Sequence, residues 1–285
     1  MKCPNCNVTI RQEEAQFCHV CGTRLVDDDA EQPKPSGTQT GSLPPVRTFT
    51  VNGVSFNMVL VEGGEFWMGE QREDPSKPNF DPEANGNSVK RESVDSFYIG
   101  ETVATIGLVD AVFPYQKLTD MYRYHRELNG LRWADGEEEE QNMLPAFACF
   151  DLSLLCSELM AQTGCYFRFL TEKEWEYAAR GGNKSKGFRF AGSNILKEVG
   201  WYYGNCYSII NGVRTNTLHI VKQKKPNELG LYDMSGLVDE FCYDGIKAML
   251  RGGNVCSFPS QCRVSSRTSR IDNDRRYGLR LAMIP

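Results

Sequence analysis

The stretch Arg168 to Gly182, RFLTEKEWEYAARGG, carries the clearest local grammar in the chain. Thr171 and Glu174 stand three apart, the spacing of a capping box, in which each side chain satisfies the other's backbone N–H at a helix start. Trp175, Ala178 and Ala179 then fall on one helical stripe, and Gly181 supplies the residue type that ends a helix. The spacing predicts a short scaffold helix buried along that stripe. Trp175 reads as a core anchor and not as a stacking platform for a ligand.

Working outward, Asp151 to Thr163 reads as a helix with Asp151 as N-cap, Leu152, Leu155, Cys156 and Leu159 on one face and Gly164 as the stop. Between Thr105 and Gly130 the pattern is helical but interrupted at Pro114, giving two short helices or one broken one. Asn57 to Gly69 reads as a hairpin turning at Gly63-Gly64, and Ser96 to Gly100 as a further strand. Glu137 to Glu140 is an acidic loop. Beyond Gly182 the chain is rich in Gly, Asn and Tyr, which favours short strands and long loops.

The N-terminal 26 residues are a separate unit. Cys3 and Cys6, then Cys18 and Cys21, form two CxxC pairs with eleven residues between them. Two turns that each present two thiolates complete a tetrahedral four-sulfur zinc site, and Gly22 suits such a turn. So short a segment builds little core, and the metal would supply much of its folding free energy. His19 lies between better ligands. Few basic residues accompany the ribbon, so protein docking or structural capping is expected of it before nucleic-acid reading. Residues 27–46, DDDAEQPKPSGTQTGSLPPV, have the composition of a flexible linker, and the main domain runs from 47 to 285.

The 285 residues carry a formal net charge of −5, which gives no general reason to expect binding to nucleic acid or an anionic membrane. No apolar run reaches the length of a signal peptide or a membrane span, so a cytoplasmic location is expected. Of the eleven cysteines, seven lie outside the zinc spacing and are scattered, which favours reduced thiols over a disulfide scaffold.

Four motifs in fixed order complete the reading: the 168–182 helix, GLYDMSG at Gly230 to Gly236, RGG at Arg251 to Gly253, and CRVSSR at Cys262 to Arg267 with YGLRLA at Tyr277 to Ala282. Together they resemble the formylglycine-generating-enzyme, or sulfatase-modifying-factor, family over roughly Phe56 to Ala282. The resemblance implies an irregular α+β fold of C-type-lectin-like type. It also implies three candidate sites. The first is a copper(I) centre of an oxidase that converts a peptide cysteine to formylglycine; its thiolates would be Cys256 and Cys262, although five residues separate them where the family's oxidases have four. The three histidines, His19, His125 and His219, have no metal spacing, which disfavours an iron site. The second is a calcium loop, with Asp233, Gly236, Val238 and Glu240 at the ligand positions. The third is the surface from Asn254 to Tyr277, where Asn254, Phe258, Arg270, Arg275, Arg276 and Tyr277 are the expected contact residues, aromatic and arginine side chains being the usual anchors. Its placement resembles the variable proteins of diversity-generating retroelements. If that segment is an ordinary loop, Arg263 and Arg280 are structural ion-pair partners. The favoured function is a non-catalytic module that binds a protein or other ligand at the C-terminal surface. The alternative is the copper-dependent oxidase.

Overall fold

The structure is a computed structural model that describes residues 43–84, 89–115, 132–133, 142–146, 152–210, 212–243, 247–269 and 277–285. The ribbon cysteines Cys3, Cys6, Cys18 and Cys21, the acidic run 137–140 and the contact candidates Arg270, Arg275 and Arg276 lie outside these residues. No helix among the described residues is long and apolar enough to cross a membrane.

The strands are β1 (Val46–Val51), β2 (Val54–Val61), β3 (Gly64–Met68), β4 (Lys90–Val94), β5 (Phe97–Gly100), β6 (Arg132–Trp133), β7 (Phe167–Phe169), β8 (Tyr207–Ile210), β9 (Val213–Leu218), β10 (Asp239–Tyr243), β11 (Ala248–Arg251), β12 (Arg267–Thr268), β13 (Tyr277–Gly278) and β14 (Leu281–Met283). The helices are α1 (Ile106–Val112), α2 (Leu152–Thr163), α3 (Glu172–Ala179) and α4 (Leu196–Val199). A five-stranded antiparallel sheet, ordered β1-β2-β5-β14-β7, forms the centre. A second sheet, β12-β11-β10-β13, adjoins it where Tyr243 N donates to Leu170 O at 2.9 Å. A third, β6-β9-β8, and the pair β3-β4 lie outside both.

Side-chain alternation along the central strands sorts the core into two layers. Met58, Tyr98, Leu281 and Met283 face one layer, with Val109 of α1 and Leu155, Cys156 and Leu159 of α2. Val59, Val61, Phe97, Ile99 and Ala282 face the other, with Trp175, Ala178 and Ala179 of α3. All four residues of β5 are buried because both faces of its sheet are covered. The stripe read from the sequence is thus the inner face of α3, and its capping box is formed: Thr171 Oγ1 accepts from Glu174 N at 3.3 Å, and Glu174 Oε2 from Thr171 N at 2.9 Å. Gly181 is left-handed at φ +92°.

One local expectation needs correction. Gly63-Gly64 is not a hairpin turn, since β2 pairs with β1 and β5 while β3 pairs with β4. The glycines serve close approach: a Cβ on Gly63 would lie 2.6 Å from Val94 O, and one on Gly64 2.5 Å from Tyr177 Oη. The tight hairpin is instead β1-β2, turned by Asn52 and Gly53 at φ +45° and +85°, the doubly left-handed geometry that Asn-Gly favours.

Candidate functional site

The C-terminal surface is anchored by the RGG motif at the end of β11. Arg251 is fully buried; its guanidinium binds the Glu176 carboxylate of α3 and donates to Ser265 O at 2.9 Å and Ser266 O at 2.6 Å. Burial pushes the Glu176 carboxyl up, but Arg251 and Arg180 together hold it below its ordinary value. The next two residues turn left-handed, at φ +86° and +73°, and a Cβ on Gly253 would stand 2.9 Å from Cys262 Sγ. The motif therefore folds the segment back over itself. Asn254 closes the turn, donating from Nδ2 to Asp239 Oδ2 and accepting from Cys256 N at 2.8 Å through Oδ1.

Three thiols belong to this turn or lie beneath it. Cys256 is exposed and its Sγ accepts from Asn216 Nδ2 at 3.2 Å. Cys206, just before β8, is buried, and its single S–H is shared between Tyr202 O at 2.7 Å and Val255 O at 2.8 Å from Sγ. Burial, then the charge of Cys256, pushes the Cys206 thiol up to about 12. Cys262 is also buried; burial first, then Asp239 and Cys206, raises its thiol. Maleimide should label Cys256 in the native protein and spare Cys206, Cys242 and Cys262 until denaturant is added. Mass mapping of labelled peptides checks this expected order.

Phe258 projects from the same turn with 59% of its surface exposed, and Tyr203 lies 5.3 Å from it between ring centroids. Arg214 of β9 stands over Tyr203 at 3.9 Å and over Tyr207 of β8 at 4.0 Å. Ile209 and Val213, each 63% exposed, continue this face along the β8-β9 hairpin. Tyr277 instead stacks on Phe241 at 5.5 Å, and so is half-buried between β13 and β10. Of the contact residues expected from the sequence, the surface therefore includes Phe258, with Asn254 shaping the turn. Sequence reasoning missed Tyr203, Tyr207 and Arg214. Their signal was the alternation of Tyr207 and Ile209 followed by Asn-Gly at 211–212.

The GLYDMSG loop leads into β10, which carries Glu240. Glu240 Oε1 accepts from Arg280 Nη2 at 2.6 Å, while Oε2 accepts from Arg280 Nε at 2.9 Å and Trp175 Nε1 at 2.7 Å. Arg280 also donates to the carbonyls of Gly100, Glu101 and Tyr232 at 2.8–3.0 Å. Asp233, left-handed at φ +60°, is 2% exposed; its Oδ2 accepts from Lys222 N at 2.8 Å and its Oδ1 has no partner. Burial pushes the Asp233 carboxyl up to about 6. Arg263 is likewise an internal ion-pair partner, at 3.0 Å from Asp81 and 2.9 Å from Glu83.

A family model for the sulfatase-modifying factor enzyme 1-like domain matches residues 47–284. The chain belongs to this family. Among solved structures it is similar to Treponema denticola variable protein 1, with TM-score 0.63 and 23% identity over 85% of this chain and 100% of that one. It is also similar to PvdO from Pseudomonas aeruginosa, with TM-score 0.58 and 21% identity over 86% and 100%. At these identities the likeness establishes the fold alone. A curated relative, the chaperone protein LppX of Paenibacillus barcinonensis, is 44% identical over 88 residues, 27% of this chain and 31% of that protein. The matched part is thus under a third of that relative's length.

Membership in the sulfatase-modifying-factor family makes the metal positions testable against the side chains present. A two-thiolate copper centre at Cys256 and Cys262 does not fit these side-chain positions: one thiol faces solvent, while the other is sealed beneath Gly253. Among the described residues no group of three or more His, Cys, Asp or Glu side chains is arranged to hold a metal. For calcium, Asp233 Oδ1 fits as a buried oxygen in need of a partner. Glu240 fits only by sharing Oε1 with Arg280, since three of a carboxylate's roughly four lone-pair directions already have donors. Gly236 O accepts from Val238 N at 2.9 Å, so that carbonyl would also be shared.

Proposed function

We propose that this sulfatase-modifying-factor-like domain is a non-catalytic binding module that engages a protein or other ligand through its C-terminal turn and the adjoining β8-β9 hairpin. The observation that carries this reading is the contiguous exposed surface of Phe258, Tyr203, Tyr207 and Arg214, beside a cysteine pair of which Cys256 is exposed and Cys262 buried. Aromatic and arginine side chains contribute most of the energy at binding surfaces, and Arg214 is held in place by the two rings it covers. Likeness to a protein titled a variable protein supports a role in which this face sets the target. A zinc ribbon at Cys3, Cys6, Cys18 and Cys21 would dock elsewhere, and joining two contacts through residues 27–46 raises avidity when both targets lie within reach.

The test compares binding of candidate ligands by the full chain and by the Phe258→Ala/Tyr207→Ala variant. A ligand of this surface is expected to bind the variant about tenfold or more weakly. Stability should change little for truncation at exposed positions, by about 0.5 kcal/mol per site. Undiminished affinity would move the site elsewhere. Aerobic conversion of a peptide cysteine to an aldehyde by copper-loaded protein, lost in Cys256→Ser, would instead establish the oxidase.

A further inference from the structure

Cys206 and Cys256 lie fifty residues apart in sequence, yet two contacts bring them together. The Cys206 thiol donates at 2.8 Å to Val255 O, the carbonyl of the peptide that leads into Cys256. The Cys256 sulfur accepts at 3.2 Å from Asn216, whose cross-strand partner is Tyr207, the neighbour of Cys206. Each sulfur is a free thiol, one open to solvent and one buried.

We propose that Cys206 and Cys256 form a reversible disulfide when the protein meets a hydroperoxide, making this turn a site of oxidative modification. The exposed sulfur reacts first. Cys256 attacks one peroxide oxygen, the O–O bond breaks, and the products are a sulfenic acid and water or an alcohol. Cys206 then attacks the Cys256 sulfur; the S–S bond forms, the S–O bond breaks, and the Cys206 proton leaves with the hydroxyl as a second water. The peroxide is reduced by two electrons and the two thiols together lose two hydrogens. A dithiol reductant restores the pair.

The division of labour follows from placement. Cys256 is accessible, and its sulfur is met by an amide N–H of Asn216 at 3.2 Å. Cys206 cannot meet a bulky oxidant, and its burial favours the protonated thiol, so it stays reduced until the sulfenic acid forms next to it. Cys262 is the nearest competitor; it is sealed beneath Gly253.

The experiment treats the zinc-loaded full chain with one equivalent of hydrogen peroxide, blocks remaining thiols and digests with trypsin without reduction. The expected product joins peptide 198–214 to peptide 252–263 and is released by dithiothreitol. Fragmentation at Pro259 separates Cys256 from Cys262 within the second peptide. In Cys206→Ser, dimedone should trap sulfenic acid at Cys256 at least several-fold more than in the parent protein. Because Cys206 is in the core, Cys256→Ser provides a variant at an exposed position, and there Cys206 should stay reduced. A linkage of Cys256 to Cys262 or to a ribbon cysteine would overturn the proposal. So would a Cys256 that passes to sulfinic acid with Cys206 untouched.

Discussion

Arg280→Met is expected to lower the unfolding free energy by about 3–5 kcal/mol, the cost of leaving a buried carboxylate without its cation. Arg280 is fully buried, contacts both oxygens of Glu240 and satisfies three backbone carbonyls from two other segments. Methionine fills much of the volume but satisfies none of these acceptors. Lysine keeps the charge yet lacks the planar fork, so Arg280→Lys should also destabilise. The double variant Arg280→Met/Glu240→Gln should recover part of the loss, because the uncompensated charge is gone. By contrast, removing the exposed pair Arg91–Glu65 should cost about 1 kcal/mol or less. Urea midpoints for the four proteins check the series; a loss for Arg280→Met no larger than for the exposed pair would refute the buried-hub account.

Asp233 should make stability fall as the pH rises. Its folded-state pKa of about 6 lies above the ordinary 3.8, so the native state holds a proton between these values that the unfolded chain has released. The contribution is fully present below about pH 4 and is lost as the pH passes through 6. The difference corresponds to about 3 kcal/mol at neutral pH, in order of magnitude. Asp233→Asn keeps an oxygen for Lys222 N, removes the buried charge and suits the left-handed backbone. In chelator at pH 8 the variant is expected to be more stable than the parent by about 1–3 kcal/mol, and at pH 4 the two should coincide. The calcium expectation adds a second arm. If the ion binds at Asp233, millimolar calcium should raise the parent's melting temperature progressively and leave Asp233→Asn unmoved. Equal responses in the two proteins would remove Asp233 from any calcium site.

What the sequence disclosed depended on the range over which each feature is decided. The α3 helix was legible because its capping box, stripe and terminating glycine all lie within a dozen residues. Two glycines in a row looked like a turn at 63–64, but their role is to admit Val94 and Tyr177, contacts that no local pattern contains. Asn52-Gly53, the actual turn, was the stronger signal and went unread. The proposed binding face was half legible: Phe258 came from its own loop, whereas Tyr207 and Arg214 arrive from a hairpin, and Tyr203 from the turn before it, some fifty residues upstream. Pairing Cys256 with Cys262 followed sequence proximity and the family pattern. In space Cys206 is the thiol that adjoins the peptide of Cys256.

Arg251 and Arg280, both sunk in the core, clasp the two ends of the C-terminal segment. Between them Val255, Cys262, Arg263 and Val264 act as rivets, while Cys256, Phe258, Pro259 and Gln261 stand outward in the gaps. The buried residues among 251–265 thus form a frame on which the outward ones stand like keys on a keyboard. Under the proposed binding role, exchanging the outward residues would change what this face touches while the buried ones go on holding it in place.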